Sequence, residues 1–296
     1  METHGIARTD AEEKLRGLMI NVAVYAASYG MAAFLFFRIA APLTATAAFT
    51  AAATLLVYIV SVFLSDVSVY DPYWSVAPPV MLLLNMVKYG WWNVNAIVLF
   101  AVTGIWSFRL TVNWYGTYRG VGHEDWRYAM FREKYPPAVF QFISLTGLHF
   151  VPTIVVYAGL VSGLLAMRRT DFVPLSLAGA AVMLLAVLLE YMSDSAIHGF
   201  LREHGTERRT CDVSVWKYSR HPNYLGEMSF WTGMYLYFLA CRPEIWYFGL
   251  GFLSIIALFL VVSIPMMEKH NLERRADYAA YRARTSMLLL LPPRRR

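Results

Sequence analysis

Long apolar runs separated by short polar segments dominate the chain. These runs lie near residues 18–37, 44–64, 93–112, 140–166, 172–197, 224–241 and 245–266. As α-helices, they are long enough to cross the roughly 30 Å hydrocarbon core of a bilayer. A shorter run at 76–87 contains Pro78 and Pro79, so it is either an eighth span or a re-entrant segment. The pattern predicts an all-α, polytopic integral membrane helix bundle with seven or eight transmembrane helices.

Composition agrees with a lipid environment. The chain of 296 residues is 58% hydrophobic and 16% charged, with a mean hydropathy of +0.44, which is too apolar for a soluble domain. Residues 1–17 are polar and the first apolar run is long, so we expect that run to stay as a helix and not to be cleaved. Cys211 and Cys241 have no ligand or disulfide spacing, so we expect no metal site.

The basic residues indicate an orientation. The net charge of +6 could suggest nucleic acid, but basic residues flanking spans explain it better, and no nucleic-acid partner is expected. With eight spans, one side holds 20 of the 26 Lys and Arg residues, including those of the C-terminal tail. The positive-inside rule predicts a cytosolic C-terminus. Seven spans with an outside N-terminus remain open. No repeat or linker divides the chain, so we expect a single membrane-embedded domain over 1–296, with N-terminal helices at 1–65.

Several ionisable groups fall within predicted spans, where each is costly and therefore a candidate for function. Arg109 and Asn113 share one helix face, where Arg109 either binds a ligand phosphate or snorkels to the interface. Glu190 and Asp194, spaced i and i+4, form either the wall of a polar pocket or carboxylates neutralised by basic loop residues.

The segment Asp71-Pro72-Tyr73-Trp74 begins the short run. Asp before Pro is a common turn and cap signal. Alternatively, Asp71 and Tyr73 supply an acid and a phenol that donate protons to a substrate oxygen at the mouth of a cavity.

A polar island lies at 216–227. Arg220 and His221 precede Pro222, which begins a helix, so positive charge and free backbone N–H groups converge there. A phosphate-bearing cofactor fits such a site, and so does a lipid headgroup. In the following tail, polar residues recur mostly at three- or four-residue spacing on one helix face: Glu268, Asn271, Arg275, Tyr278, Tyr281 and Arg282.

These residues resemble a known family. The run 219–227 (SRHPNYLGE), together with 265–269 (PMMEK), 278–282 (YAAYR), 291–293 (LPP), 71–74 (DPYW) and 124–128 (EDWRY), is similar to the steroid 5α-reductases and their bacterial membrane relatives. The resemblance covers about residues 60–293. It implies a reductase-like region over 66–293, with a cytosolic cofactor-binding cap mainly in 190–293, in a bacterial inner membrane.

The resemblance also implies an activity: NADPH-dependent reduction of a carbon–carbon double bond conjugated to a ketone in a lipophilic substrate such as a 3-oxo-Δ4 steroid. Carried over by position, the residues of the cofactor site are Arg119, Arg127, Asp194, Arg202, Tyr218, Arg220, His221, Asn223, Tyr224, Glu227, Glu268, Tyr281 and Arg282. Trp74, Trp106, Arg109 and Asn113 are expected to bind the substrate. Trp106 stands where the family has a tyrosine, so we expect Asp71 and Tyr73 to be the catalytic pair.

A second class of enzyme shares part of this pattern. Membrane methyltransferases that act on isoprenylcysteine or phospholipid amines with S-adenosylmethionine have a similar Arg-His-Pro-x-Tyr motif, but usually with paired glutamates after the last span. This chain has Glu268-Lys269 there. We therefore favour the reductase, with membrane lipids and a steroid-like molecule as its partners and no obligate protein partner.

Overall fold

The computed structural model describes residues 2–205 and 207–294, and its regular structure is helical. The described residues contain no strand, apart from one isolated bridge between Ser219 and Ser286. The predicted all-α class is therefore confirmed. The α-helices are α1 (Glu2–Arg38), α2 (Pro42–Leu64), α3 (Tyr73–Tyr89), α4 (Val94–Thr117), α5 (Trp126–Lys134), α6 (Pro137–Ile143), α7 (Val151–Met167), α8 (Ser176–His204), α9 (Pro222–Cys241), α10 (Phe252–Leu258), α11 (Ile264–Arg274) and α12 (Tyr278–Arg284).

Within the described residues, six helical segments are long and apolar enough to cross a membrane. They are Ala11–Arg38, Pro42–Leu64, Val94–Thr117, Pro137–Met167, Ser176–His204 and Pro243–Arg274. These segments support an integral membrane protein. They do not include α3, with 17 residues, or α9, with 20 residues and a polar first turn.

Two of the long segments are widened locally by π-helix. One π-helix covers Ser144–Phe150 between α6 and α7, and the other covers Phe259–Ser263 between α10 and α11. Each lies just before a proline, Pro152 or Pro265. Because proline has no N–H to donate to the preceding turn, the backbone readjusts there without breaking the helix.

The chain separates into two compact units that alternate along the sequence. The first contains the residues up to Trp92 together with Leu110–Tyr157; the second contains Asn93–Arg109 and the residues from Ala158 onward. The sequence predicted a single domain over residues 1–296. Four residues of that range lie outside the described residues: Met1, Thr206, Arg295 and Arg296.

In the first unit, tyrosines fill the space between α1, α2 and α3. Tyr73 is 1% exposed and its ring stacks on that of Tyr70, with 5.0 Å between centroids. Tyr25 meets Tyr73 edge-on at 6.0 Å, and its hydroxyl donates to Val69 O at 2.6 Å. Little water reaches buried phenols, so their hydroxyl groups need partners within the protein. Carbonyl and hydroxyl oxygens supply these partners here.

In the second unit, α8 and α9 pack backbone against backbone. A Cβ atom on Gly179 would lie 2.7 Å from Gly233 O, and one on Gly233 would lie 2.9 Å from Gly179 O. Only glycine at both positions permits this approach.

The start of α4, the end of α7 and the end of α9 meet at one end of the second unit. Asn95 Nδ2 donates to Arg169 O at 2.8 Å, and Arg169 Nη1 donates to Cys241 O at 2.7 Å. The polar N-terminus of α9 therefore lies a full helix length away from this contact.

Candidate functional site

The N-terminus of α9 is held by a segment far along the chain. Arg220 N donates to Ser286 O at 2.9 Å, and Ser219 Oγ donates to Leu288 O at 2.7 Å. The Arg220 guanidinium also caps α12, since its Nη1 donates to Arg282 O and Thr285 O at 2.8 and 2.9 Å. Pro222, at the first position of α9, fits because that residue needs no N–H partner.

Glu268 lies at the centre of this region. Its Oε1 accepts from Arg220 Nε at 2.8 Å, His221 Nε2 at 3.0 Å and Tyr278 OH at 2.9 Å. Arg282 Nε lies 3.1 Å from its Oε2. The glutamate is 7% exposed, so these pairs are weakly screened by solvent. One carboxylate of α11 thus fixes side chains from the turn before α9 and from α12.

A cavity of about 150 Å³ lies beside this network. His221 stacks on Tyr224, with ring centroids 5.4 Å apart and planes 4° apart, which forms a flat aromatic wall. The lining residues are Ile197, Thr210, Cys211, Trp216, Arg220, His221, Asn223, Tyr224, Met267, Asn271, Arg275, Tyr278 and Tyr281. Two guanidinium groups and two amides give the cavity an excess of hydrogen-bond donors. Such a donor set suits an anion or a polar ring.

The phenols and the thiol around the cavity are neutral. Burial raises the pKa values of the Tyr278 and Tyr281 phenols and of the Cys211 thiol, so these groups keep their protons at neutral pH. Tyr281 OH donates to Trp216 O at 2.6 Å. Burial opposes ionisation of Asp277, but hydrogen bonds from Thr210 outweigh it and lower the pKa of this carboxyl.

The residues predicted to bind the cofactor fall into several groups. Arg220, His221, Asn223, Tyr224 and Tyr281 line the cavity, and Glu268 and Arg282 form the network behind it. Arg202 and Tyr218 are exposed and do not line it.

Asp194, Glu227, Trp106 and Arg109 form a separate cluster deeper in the second unit. Arg109 pairs with Asp194 at 2.5 Å and with Glu190. Glu227 accepts from the indole N–H groups of Trp106 and Trp231, at 3.1 and 2.9 Å. Both Glu227 oxygens are thus already engaged by side chains of this unit.

The other predicted site residues belong to the first unit. Asp71 Oδ1 accepts from Tyr128 OH at 2.6 Å, while Tyr73 OH donates to Thr50 O at 3.2 Å and accepts from Thr54 at 3.1 Å. The phenol beside Asp71 is therefore that of Tyr128. Trp74 and Asn113 are half-buried, and Arg119 is exposed.

Arg127 lies next to this acid. It forms two bonds to Asp125, at 2.7 and 3.2 Å, and its positive charge acts on Asp71. Burial nevertheless dominates and raises the pKa of Asp71 to about 7, against the opposing effects of Arg127 and of the Tyr128 hydrogen bond. Asp71 is therefore an acid that can both hold and release a proton near neutral pH.

Sequence reasoning did not assign all of the cavity wall. Asn271, Arg275 and Tyr278 were visible as part of the polar helix face in the tail, whereas Thr210, Cys211 and Trp216 come from a loop that has no periodic pattern. Loop residues reach a site by tertiary packing, and spacing along the sequence does not reveal that.

Comparison with known proteins identifies a family for this chain. The family model described as "Protein of unknown function (DUF1295)" matches residues 57–285. "Uncharacterized protein C594.04c" of Schizosaccharomyces pombe is 23% identical over 255 residues, covering 75% of this chain and 72% of that protein. No solved structure matches significantly. The matched region includes α9, Glu268 and the two cavity-lining residues of α12, Tyr278 and Tyr281. The chain belongs to the DUF1295 family.

Proposed function

We propose that the protein is an NADPH-dependent membrane reductase that transfers hydride to the C=C bond of a conjugated ketone in a lipophilic substrate, with 3-oxo-Δ4 steroids as the first candidates. The DUF1295 family comprises membrane proteins related to steroid 5α-reductase, which supports this class of reaction. The observation that carries the proposal is the donor-rich cavity at the start of α9, where Arg220, His221 and Asn223 meet Arg275.

The donor set fits part of a dinucleotide. Arg220 and Arg275 suit phosphate oxygens, Asn223 and Asn271 suit a carboxamide or ribose, and the face of Tyr224 suits a planar ring. A volume of about 150 Å³ is smaller than the ~300–1,000 Å³ of pockets that enclose whole drug-sized molecules. The cavity therefore takes one end of the cofactor, and the remainder lies outside it.

The residues of this chain have distinct tasks in the proposed reaction. When bound, NADPH supplies the hydride. Glu268 positions Arg220 and His221 so that their donors are fixed before the ligand arrives, which reduces the ordering cost of binding. Asp71, with its pKa of about 7, is proposed to polarise the ketone oxygen by donating a hydrogen bond, and a proton from water would complete the reduction at the α-carbon. Tyr73 was predicted to assist, and Tyr128 now joins it as a candidate because it donates to Asp71.

Thermal unfolding of the purified protein in detergent tests the cofactor. We expect NADPH to raise the melting temperature and S-adenosylmethionine to leave it unchanged, since only a ligand of the folded state stabilises it. Asn223→Ala, which removes a lining amide, should abolish the shift. Lys269→Ala is the matched control because that side chain is 79% exposed and lies next to Glu268. Stabilisation by S-adenosylmethionine alone would instead support a methyltransferase.

We also propose that α9 spans the membrane. The helix begins two residues after Arg220, which contacts residues 282–286, and it ends at Cys241, which lies beside Arg169. The long segment Pro243–Arg274 crosses once after Cys241. Because residues beyond it return to Arg220, α9 must cross in the opposite direction. Its 20 residues extend about 30 Å, enough for the hydrocarbon core.

By similar reasoning we propose that the segment 65–89 contains an eighth span, formed by α3, and that Asp71 lies in the loop before it. The segment leaves α2 at Leu64, and at its other end Lys88 Nζ donates to Phe36 O and Ile39 O at 2.6 and 2.5 Å, beside the beginning of α2. The segment therefore runs the length of α2. With eight spans the basic bias makes the side of Arg220 and the cavity cytosolic. The resemblance to bacterial reductases suggests the inner membrane as the location.

A further inference from the structure

Three carboxyl groups and one guanidinium lie together where α4, α8 and α9 meet in the second unit. Glu190 is 1% exposed and Glu227 is 5% exposed. Arg109, whose side chain is 12% exposed, pairs with Glu190 and, at 2.5 Å, with Asp194. His198 lies one turn beyond Asp194 on α8. If all three carboxyls were ionised, a single guanidinium would face three negative charges in a poorly solvated region.

Glu227 is held in one position by two indoles. Its Oε2 accepts from Trp106 Nε1 at 3.1 Å and its Oε1 from Trp231 Nε1 at 2.9 Å. Two N–H donors favour the ionised form of this carboxyl. They also fix its plane, because each indole is 1% exposed or less and cannot swing away.

Glu190 completes the arrangement. Its Oε1 accepts from no N–H or hydroxyl group in the part of the chain that the structure describes. The carboxyl of Glu227 lies beside it, because Gly226 of α9 packs against the Glu190 side chain. Two carboxylates cannot bond to each other without a hydrogen atom between them, and two like charges at this distance in a low-dielectric site repel strongly.

The backbone enforces this contact. Gly226 packs directly on the Glu190 side chain, and a Cβ atom there would lie 3.0 Å from Ala186 O. The close approach of α9 to α8 at Gly226 brings Glu227 next to Glu190. The two carboxyls therefore meet because of the fold, and do not depend on a mobile side chain.

We propose that Glu190 and Glu227 bind one proton between them and form a proton-binding site inside the membrane-spanning bundle. The shared proton leaves the pair with one negative charge, next to Arg109. The ligand of this site is the proton itself, and the inference goes beyond the proposed function because it holds whether or not the chain is a reductase.

Infrared spectroscopy of the detergent-purified protein tests the site. The carbonyl stretch of a protonated carboxylic acid is separate from that of a carboxylate and shifts in D₂O. The measurement is made about two pH units above the pKa of Asp71, where that acid is ionised. We expect one such band in the wild type and its complete loss in Glu190→Gln and in Glu227→Gln, where the amide donates to the remaining carboxylate.

Glu203→Gln is the control, because Glu203 is an exposed carboxylate on the same helix and its loss should leave the band in place. A wild-type spectrum without an acid band overturns the proposal even if neither variant folds. A band that survives in either folded glutamine variant also overturns it, since the proton would then reside elsewhere.

Discussion

Asp71 shows what burial does to a single acid. In an unfolded chain its pKa would be near 3.8, whereas burial in the native loop raises it to about 7. The native state therefore binds a proton that the unfolded state has already lost between these two values. Stability must fall as the pH rises through this window and level off above it.

The first prediction follows from this sign. Asp71→Asn keeps an oxygen that can accept from Tyr128 but removes the charge, so we expect a higher melting temperature than the wild type at pH values above 7. The difference should shrink as the pH falls and disappear well below 3.8, where wild-type Asp71 is protonated in both states. Melting curves across this range check it.

Asp277 supplies a control, because its pKa is shifted in the opposite direction to that of Asp71. Its pKa is lowered by Thr210, so Asp277→Asn should reduce stability near neutral pH. If Asp71→Asn were also destabilising above pH 7, the charged form of Asp71 would be the stabilising one and its proposed acid role would fail.

The residues predicted to bind the cofactor lie in more than one place in the structure. Arg220, His221, Glu268 and Arg282 were predicted as one set, and the structure joins them through a single carboxylate. Glu227 belonged to the same motif, but it lies one turn into α9 on a face that meets two tryptophans. Which face of a short motif turns toward a cavity depends on partner helices that the motif does not specify.

Among the helices, the α8–α9 pair depends on its glycines. Gly179 and Gly233 bring the two backbones together, and neither has space for a methyl group. Backbone atoms on the opposing helix cannot rotate away as a flexible side chain would, so any added atom must push the helices apart.

The second prediction tests this contact. Gly233→Ala should destabilise the protein by about 1–3 kcal/mol through overpacking. Gly199→Ala, on α8 with open space around it, should be neutral or slightly stabilising because alanine favours helix by about 0.5–1 kcal/mol. Detergent or thermal unfolding of the two variants measures the contrast. Equal stabilities would show that the helix pair tolerates separation.

Helix positions followed from the apolar runs, whereas local irregularities did not. The runs at 140–166 and 245–266 were predicted as plain spans. In the structure each contains a π-helical turn before Pro152 or Pro265. A proline can kink, end or widen a helix, and the surrounding packing selects among these outcomes.

For the whole molecule, the third prediction concerns the crossing of α9. Glu207→Cys and Glu244→Cys place reactive thiols in exposed positions before and after this helix, while the native Cys211 and Cys241 are buried. In intact cells a membrane-impermeant maleimide should label Glu244→Cys only, with Glu207→Cys labelled after the membrane is opened. Labelling of both from the same side would contradict an α9 span.

The contact between Arg220 and residues 282–286 also has a consequence for biosynthesis. In the proposed topology, a nascent chain that has inserted α8 has Arg220 on the cytosolic side, yet the carbonyls that hold its guanidinium are encoded more than 60 residues later. In that topology α9 and Pro243–Arg274 both cross the bilayer before those carbonyls reach the side of Arg220. Ligand binding at this site would therefore be acquired only after membrane insertion is correct, and a misinserted chain would be left without it.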